Sequence, residues 1–414
     1  MSINFNESIP DGHLPDKGER GSYKGTIANL TALFEHYEIT CQYNNIGKSQ
    51  KVYFGDNDND HDLSESSNYA WLSSLLSLNN LPQSTMSLLP ALMLTNTTNP
   101  VLDFIKTAIK NDTDYFRVVA DSLIVVDADK RYRDLALRTW LYQCVAAADS
   151  AKHAKVNGLA KFELVMVLQG EQGIGKTTWF KSLAPQHLQQ YIATGEHLDP
   201  DDTNSLRRCL STWICELGEL DATFRKSDIE RLKAFLSQTE DKIRLPYDRA
   251  ISNYKRRTSF CGSVNPEQFL VDKTGNRRFL PIAVKLIKRL PVTDEFLQGL
   301  WAQIWHEYTT DNTAIWWSSS ELERLLEQHH QQHSEISPIE ELIVGRFDLS
   351  TLNKGIAFKA HYTPTALLIA CGIHLPTKHQ LKEVKPFLEK HGIESVQNNG
   401  NRGYWLIIKD NFAD

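Results

Sequence analysis

The sequence predicts an α/β protein: a P-loop ATPase core, an α-rich domain before it and a winged-helix-like domain after it. Three observations carry this expectation. The run LQGEQGIGKTTW, residues 168–179, fits the phosphate-loop pattern G-x-x-x-x-G-K-[ST], with a short apolar strand leading in and a helix leading out. Residues 70–150 are mostly helical in pattern, clearest in NPVLDFIKTAI and DLALRTWLYQCVAAA. The last part reads helix, helix, hairpin.

The expected divisions are a mobile tail over 1–22, an α-rich domain over 23–155, a P-loop domain over 156–320, a helical linker over 321–345 and the winged-helix-like domain over 346–414. The tail is polar and lacks periodicity. From Thr26 a helix is expected, with Ile27, Leu30, Leu33 and Phe34 on one face. DNDNDHD, 56–62, has the alternating acids of a calcium loop, but His61 stands where Gly is needed and Ser67 where Glu is needed. It reads as a solvated loop.

Net charge is −6, so any nucleic-acid surface must be local. No apolar run reaches the roughly 18 residues of a membrane span, and the polar N-terminus does not read as a signal peptide. The six cysteines show no CxxC pair or zinc spacing. They read as reduced thiols in a cytoplasmic protein.

In the phosphate loop, Gly170, Gln172, Gly173, Ile174, Gly175, Lys176, Thr177 and Thr178 form the expected nucleotide site. Backbone amides and the helix start would face the phosphates. Lys176 would reach the β- and γ-phosphates, and the Thr177 hydroxyl would ligate Mg²⁺. ATP and Mg²⁺ are the expected cofactors. A second strand, Thr212–Cys215, ends in Glu216 and Glu219. Glu216 is assigned to the metal and Glu219 to the attacking water. A third strand, Thr258–Asn265, ends in Asn265, placed to contact the γ-phosphate or the water. In DKTGNRRFLPI, Arg277 or Arg278 is the candidate arginine finger toward a neighbouring subunit; the other reading is an internal salt bridge.

A helix from Ser227 leads into KIRLPYDR and SNYKRR. From Lys242 to Arg257 there are six Lys or Arg against Asp248 alone, with Tyr247 and Tyr254 between them. This suits a nucleic-acid backbone; a solvated hairpin is the other reading. GEQGIGKTTW, WICELGELD, RKSDIERLKAFLS, DKIRLPYDR, GSVNPEQFL and DKTGNRRFLPI together resemble the virulence-associated E family, found in phages, prophages and phage satellites. The resemblance is specific over about residues 160–285 and looser over 26–160. It implies an ATPase core similar to superfamily 3 and other AAA+ helicases, a ring, usually a hexamer, and a hairpin lining a DNA channel. On that analogy Lys233, Arg249, Lys255 and Arg256 would serve DNA. The E-x-x-E strand departs from the adjacent acidic pair common in AAA+ proteins, which leaves open which Glu is the base. No second set of acids for priming is seen, so a separate primase and host replication proteins are expected partners.

After residue 320, ELERLLEQHHQQHSE is read as a solvated helix, with His329, His330 and His333 on it rather than in a metal site. In the last domain, Thr363 caps a helix with Pro364 at its first position, and Thr377 and Gln380 form a capping box. Pro386 should kink or break the second helix. NNGN marks a hairpin turn. Lys378, His379, Lys382 and Arg402 are candidate DNA contacts; docking a protein is the alternative. The expected function is a replicative DNA helicase. An origin-binding initiator without processive unwinding, or an oligomeric regulatory NTPase, are the alternatives.

Overall fold

The computed structural model describes residues 6–54, 65–107, 112–126, 129–149, 161–218, 226–243, 252–265, 276–311, 315–333, 338–349 and 360–409. It is a mixed α/β protein that divides into two compact units, Met1–His329 and His330–Asp414.

Residues 6–22 are not the mobile tail that the sequence suggested. Ile9 and Leu14 are buried with the helix Ile27–His36. The Ile9 amide donates to Asn79 Oδ1 at 2.7 Å, and the Asn29 amide group donates to the Asp16 and Lys24 carbonyls. Two apolar side chains and a set of paired backbone groups are enough to fix a polar segment. Thr26 caps the helix, accepting from the Asn29 amide. β1 (Ile39–Asn44) and β2 (Ser49–Phe54) form a hairpin, and β3 (Thr97–Thr98) adds in parallel to the end of β1. Residues 56–62, the acidic loop, lie outside the described residues.

Helices Pro100–Thr107, Tyr115–Ser122 and Lys130–Ala148 follow. They share one apolar core with the strand Val165–Gln169 and the helix Asp294–Thr310, so the core does not follow the expected boundary near residue 155. Trp140 Nε1 donates to the Phe260 carbonyl and Trp213 Nε1 to the Cys144 carbonyl, each at 2.9 Å. The buried indoles thus tie the helix Lys130–Ala148 to the sheet with satisfied polar tips. β4 (Leu123–Ile124) pairs with β12 (Leu286–Ile287).

The central sheet is parallel throughout. It comprises β5 (Val165–Gln169), β6 (Ile192–Glu196), β7 (Ile214–Leu217), β10 (Ser259–Val264) and β11 (Phe279–Ala283), in the order β11-β5-β10-β7-β6. Its inner strands are buried on both faces, which explains the apolar run Val165–Leu168 of β5. β8 (Glu240–Ile243) and β9 (Ser252–Lys255) make a separate antiparallel hairpin after the helix Lys226–Leu236. Five cysteines are buried, Cys371 is half-buried, and all are free thiols. Among the described residues no helix is long and apolar enough to cross a membrane.

His329 corrects the solvated reading of its helix. It is 2 % exposed, stacks on Tyr132 and has Nδ1 3.2 Å from Asp129 Oδ1. Leu322, Leu325 and Leu326 on the same helix are buried too, so the polar sequence hides one packed stripe. The His330 and His333 side chains lie outside the described residues.

The second unit holds helices Pro338–Arg346, Pro364–Ala370 and Lys378–Lys390. Its strands are β13 (Phe347–Asp348), β14 (Ala360–Tyr362), β15 (Val396–Asn398) and β16 (Asn401–Ile408), the last pairing with the other three. Thr363 and Thr377 cap their helices, and the Thr377–Gln380 capping box is formed. Asn399 and Gly400 both take positive φ in the hairpin turn. Pro386 sits inside a helix that continues past it, so the one-turn break does not occur. Val384, Phe387 and Leu388 beside it are buried, and that packing offsets the lost hydrogen bond.

Candidate nucleotide site

β5 enters the glycine-rich loop at Gly170, and the helix Lys176–Lys181 leaves it. Gly173 and Gly175 have φ of +83° and +95°, a region that side chains disfavour, with open space where a Cβ would stand. Gly170 is required for a different reason: a Cβ there would lie 2.6 Å from the Val284 carbonyl oxygen. Glu171, Gln172 and Gly173 are exposed, as are Thr177 and Thr178; Ile174 and Gly175 are half-buried. The Lys176 ammonium is folded into the loop, donating to the carbonyls of Gly170 at 2.6 Å and Glu171 at 2.8 Å.

The parallel register brings three strand ends together. Gln169 lies beside Val264, and the Gly170 amide donates to the Val264 carbonyl at 3.2 Å. Glu216, on β7, sits opposite Cys261 of β10. Its Oε1 accepts from the Thr177 hydroxyl at 2.7 Å and the Ser263 hydroxyl at 2.9 Å. Its Oε2 is buried and meets no donor in hydrogen-bond geometry among the described residues. Burial pushes the Glu216 carboxyl above its usual range. The Thr177 and Ser263 hydroxyls, the Gly195 amide and the Lys176 charge all favour the ionised form and act the other way. Asn265 is exposed, directly after β10.

A nucleoside triphosphate with its cation fits these residues. The loop has open space at Gly173 and Gly175, and the Thr177 hydroxyl and the spare Glu216 oxygen are hard oxygen donors suited to Mg²⁺. Among the described residues no group of three His, Cys, Asp or Glu is arranged to hold a metal. Glu219 lies outside the described residues. Ser263 was not anticipated. Its signal was present: it stands two residues before Asn265, and strand side chains two apart share a face.

The two arginines of NRR have different surroundings. Arg277 is exposed and makes no hydrogen bond or ion pair among the described residues. Arg278 forms the internal salt bridge, with Nε 2.9 Å from Glu163 Oε2 and an Nη 2.9 Å from Ser237 Oγ. Its guanidinium is therefore engaged within its own chain, the internal salt bridge being the other reading of the pair.

The basic segment is split in the same way. Arg256, expected to face DNA, is 1 % exposed. It pairs with Asp241 at 2.6 Å, donates to the Phe235 and Leu236 carbonyls and lies over the Phe235 ring. It fastens the hairpin to the preceding helix. Tyr254 packs against the apolar core beneath rather than outward. The alternation of β8 and β9 leaves Glu240, Lys242, Asn253 and Lys255 on the exposed face. Lys233 is half-buried on the helix, and Arg249 and Tyr247 lie outside the described residues. Nearby, Lys48 is buried and donates to the Leu210 carbonyl; burial lowers its ammonium to about 8. In the second unit Lys378, His379, Lys382 and Arg402 are exposed, with Arg402 Nε bonded to Ser395 Oγ at 3.0 Å and His379 to Glu383 at 2.9 Å.

No curated protein matches the chain. Among solved structures it is similar to the NrS-1 C-terminal region. One apo form superposes with a TM-score of 0.46 at 10% identity, covering 91% of this chain and 99% of that one. A second apo structure of that region gives 0.45 at 12%, covering 91% and 98%. The family model described as virulence-associated protein E-like domain matches residues 107–335, more than half of the chain, and the protein belongs to that family.

Proposed function

We propose that this protein is an ATP-hydrolysing motor of mobile-element DNA replication, a ring-forming helicase with an AAA+-type core. The observation that carries the reading is the convergence on Glu216: the phosphate-loop hydroxyl of Thr177 and the Ser263 hydroxyl meet one buried carboxylate at the ends of three parallel strands. A phosphate-loop strand separated from the acidic strand by one intervening strand, β10, supports the AAA+ assignment. Membership of the virulence-associated protein E-like family favours a role in phage or phage-satellite replication.

On this reading the bound nucleotide supplies the free energy of phosphoryl transfer. The chain's own groups do the positioning. Lys176 brings positive charge to the phosphates, Thr177 and Glu216 hold the cation, and Asn265 stands at the rim of the site. Glu219 remains the proposed water-orienting base. Arg277 is the proposed finger toward a neighbouring subunit, because its guanidinium is exposed whereas Arg278 is engaged. Lys255, with Lys233 and Arg249, is the proposed DNA contact of the hairpin. The second unit is proposed to be a winged-helix module that presents Lys378, Lys382 and Arg402 to DNA.

The test is strand separation on a forked duplex with ATP and Mg²⁺, comparing wild type with Lys176→Ala and Arg277→Ala, alongside ATP hydrolysis. Strand separation that both substitutions abolish supports the motor and a shared site. Hydrolysis without strand separation would instead favour an initiator or a regulatory NTPase.

A further inference from the structure

The first unit carries a groove whose features the nucleotide site does not use. The helix Ile27–His36 ends at Tyr37, and Glu38 follows with φ +49°. Glycine or asparagine is the usual residue for this left-handed position after a helix. A glutamate there holds a carboxylate at the start of β1 against a backbone preference, and such strain is most often retained at functional sites.

β1 is fully paired with β2 on one edge only. On its other edge β3 covers just Tyr43 and Asn44, because the chain preceding β3 turns away into the helix Leu89–Leu94. The amides of Tyr43 and Asn45 point to this edge, bonding the Asn96 and Thr98 carbonyls at 3.1 and 3.0 Å. Backbone groups alternate along a strand, so Cys41 and Ile39 face the same way. The Cys41 carbonyl accepts from Asn96 Nδ2 at 2.9 Å. The Cys41 amide and the Ile39 backbone groups have no partner on this edge among the described residues. An open strand edge is a template for another strand.

This edge lines a groove of about 470 Å³ together with Phe34, Glu35 and Glu38 and with Leu92 and Asn96. Both glutamates are exposed, and among the described residues no Lys or Arg lines the groove. The Cys41 thiol is pushed up to about 11 by burial and stays neutral. Carboxylates without a counter-charge repel nucleic acid and attract lysine and arginine.

We propose that this groove docks an extended, basic peptide segment of a partner protein, which adds a strand beside Ile39–Cys41. Main-chain hydrogen bonds at the open edge supply the anchoring. Side chains on one face of the peptide pack on Phe34 and Leu92, and its lysines or arginines meet Glu35 and Glu38. The proposal is independent of what the nucleotide site does.

The test is selection of a random displayed hexapeptide library on the full chain, with counter-selection on the Glu35→Lys, Glu38→Lys double variant. Both positions are exposed at a helix C-terminus, where a cation is favoured, so the variant should keep its fold. Expected are peptides enriched in Lys or Arg. The best of them should bind at least tenfold more weakly to the double variant, lose binding when its alternate amides are N-methylated, and slow hydrogen exchange at Cys41. Glu38→Gly should raise thermal stability while weakening that binding. Failure to enrich any peptide over the variant overturns the proposal. So does binding that survives N-methylation or leaves exchange at Cys41 unchanged, since that would be charge attraction without strand addition. Competition by duplex DNA for the same groove would reassign it to nucleic acid.

Discussion

The glycine-rich loop and the basic hairpin were both conspicuous in the sequence, and they behave differently in the structure. In the loop, Gly173 and Gly175 take positive φ, the Lys176 ammonium folds onto the Gly170 and Glu171 carbonyls, and the Thr177 hydroxyl bonds Glu216. In the hairpin, Arg256 points into the protein and Tyr254 packs on the core, while Lys255 between them is exposed. The loop's pattern specifies backbone geometry, which sequence encodes residue by residue. The hairpin's pattern specifies only charge. Charge does not say which face of a strand a residue takes, and one slip of register exchanges the faces.

The largest expected effect tests the buried half of that contrast. Arg256→Ala leaves Asp241 buried and uncompensated and strips two carbonyls of their donor, so it should cost about 3–5 kcal/mol in urea unfolding. Arg256→Met combined with Asp241→Leu should restore most of that loss. If Arg256→Ala kept the unfolding midpoint and lost only DNA binding, the charge-based reading of the hairpin would be right after all.

On the loop side, Lys176→Ala should lower ATP hydrolysis by about 10²–10³-fold while circular dichroism stays unchanged, the scale on which single preorganised donors act. A fall of less than about threefold would sink the assignment of Lys176 to the phosphates.

What was legible follows the same division. The α/β fold class, the helix caps at Thr363 and Thr377, and the Asn399–Gly400 turn all depend on local chemistry. What was not legible depends on partners distant in sequence. Arg278 is neutralised by Glu163, which lies 115 residues earlier in the chain. His329 is buried against Asp129, 200 residues away, and Ile9 is pinned by Asn79. Ser263 was readable in principle from its spacing to Asn265, but its meaning needs the register of β10 against β7.

A smaller effect concerns Glu216, the acid at the centre of the site. Its carboxyl titrates above the ordinary range because burial outweighs its hydroxyl donors. An acid whose folded value is raised weakens the fold when ionised, and that penalty vanishes as pH falls through the folded value. Glu216→Gln should therefore raise the thermal midpoint at neutral pH, by a margin that narrows on acidification, while hydrolysis is lost. A midpoint that drops at neutral pH would mean that the hydroxyls of Thr177 and Ser263 outweigh the burial.

The smallest structural effect is expected at Lys255, and it separates the two faces of the hairpin most cleanly. Lys255 stands opposite Glu240 on the exposed face, one residue from Arg256 in sequence. Lys255→Ala removes no buried contact, so the urea midpoint should not move. If its ammonium meets a phosphate, the substitution weakens DNA binding alike for all sequences and lowers the slope of log K against log salt by about 1. Adjacent cations would then divide cleanly, one holding the hairpin together and the other touching DNA. An unchanged salt slope would leave the exposed face of β8 and β9 without a nucleic-acid role and move the search for the DNA contact to Lys233 or to the second unit.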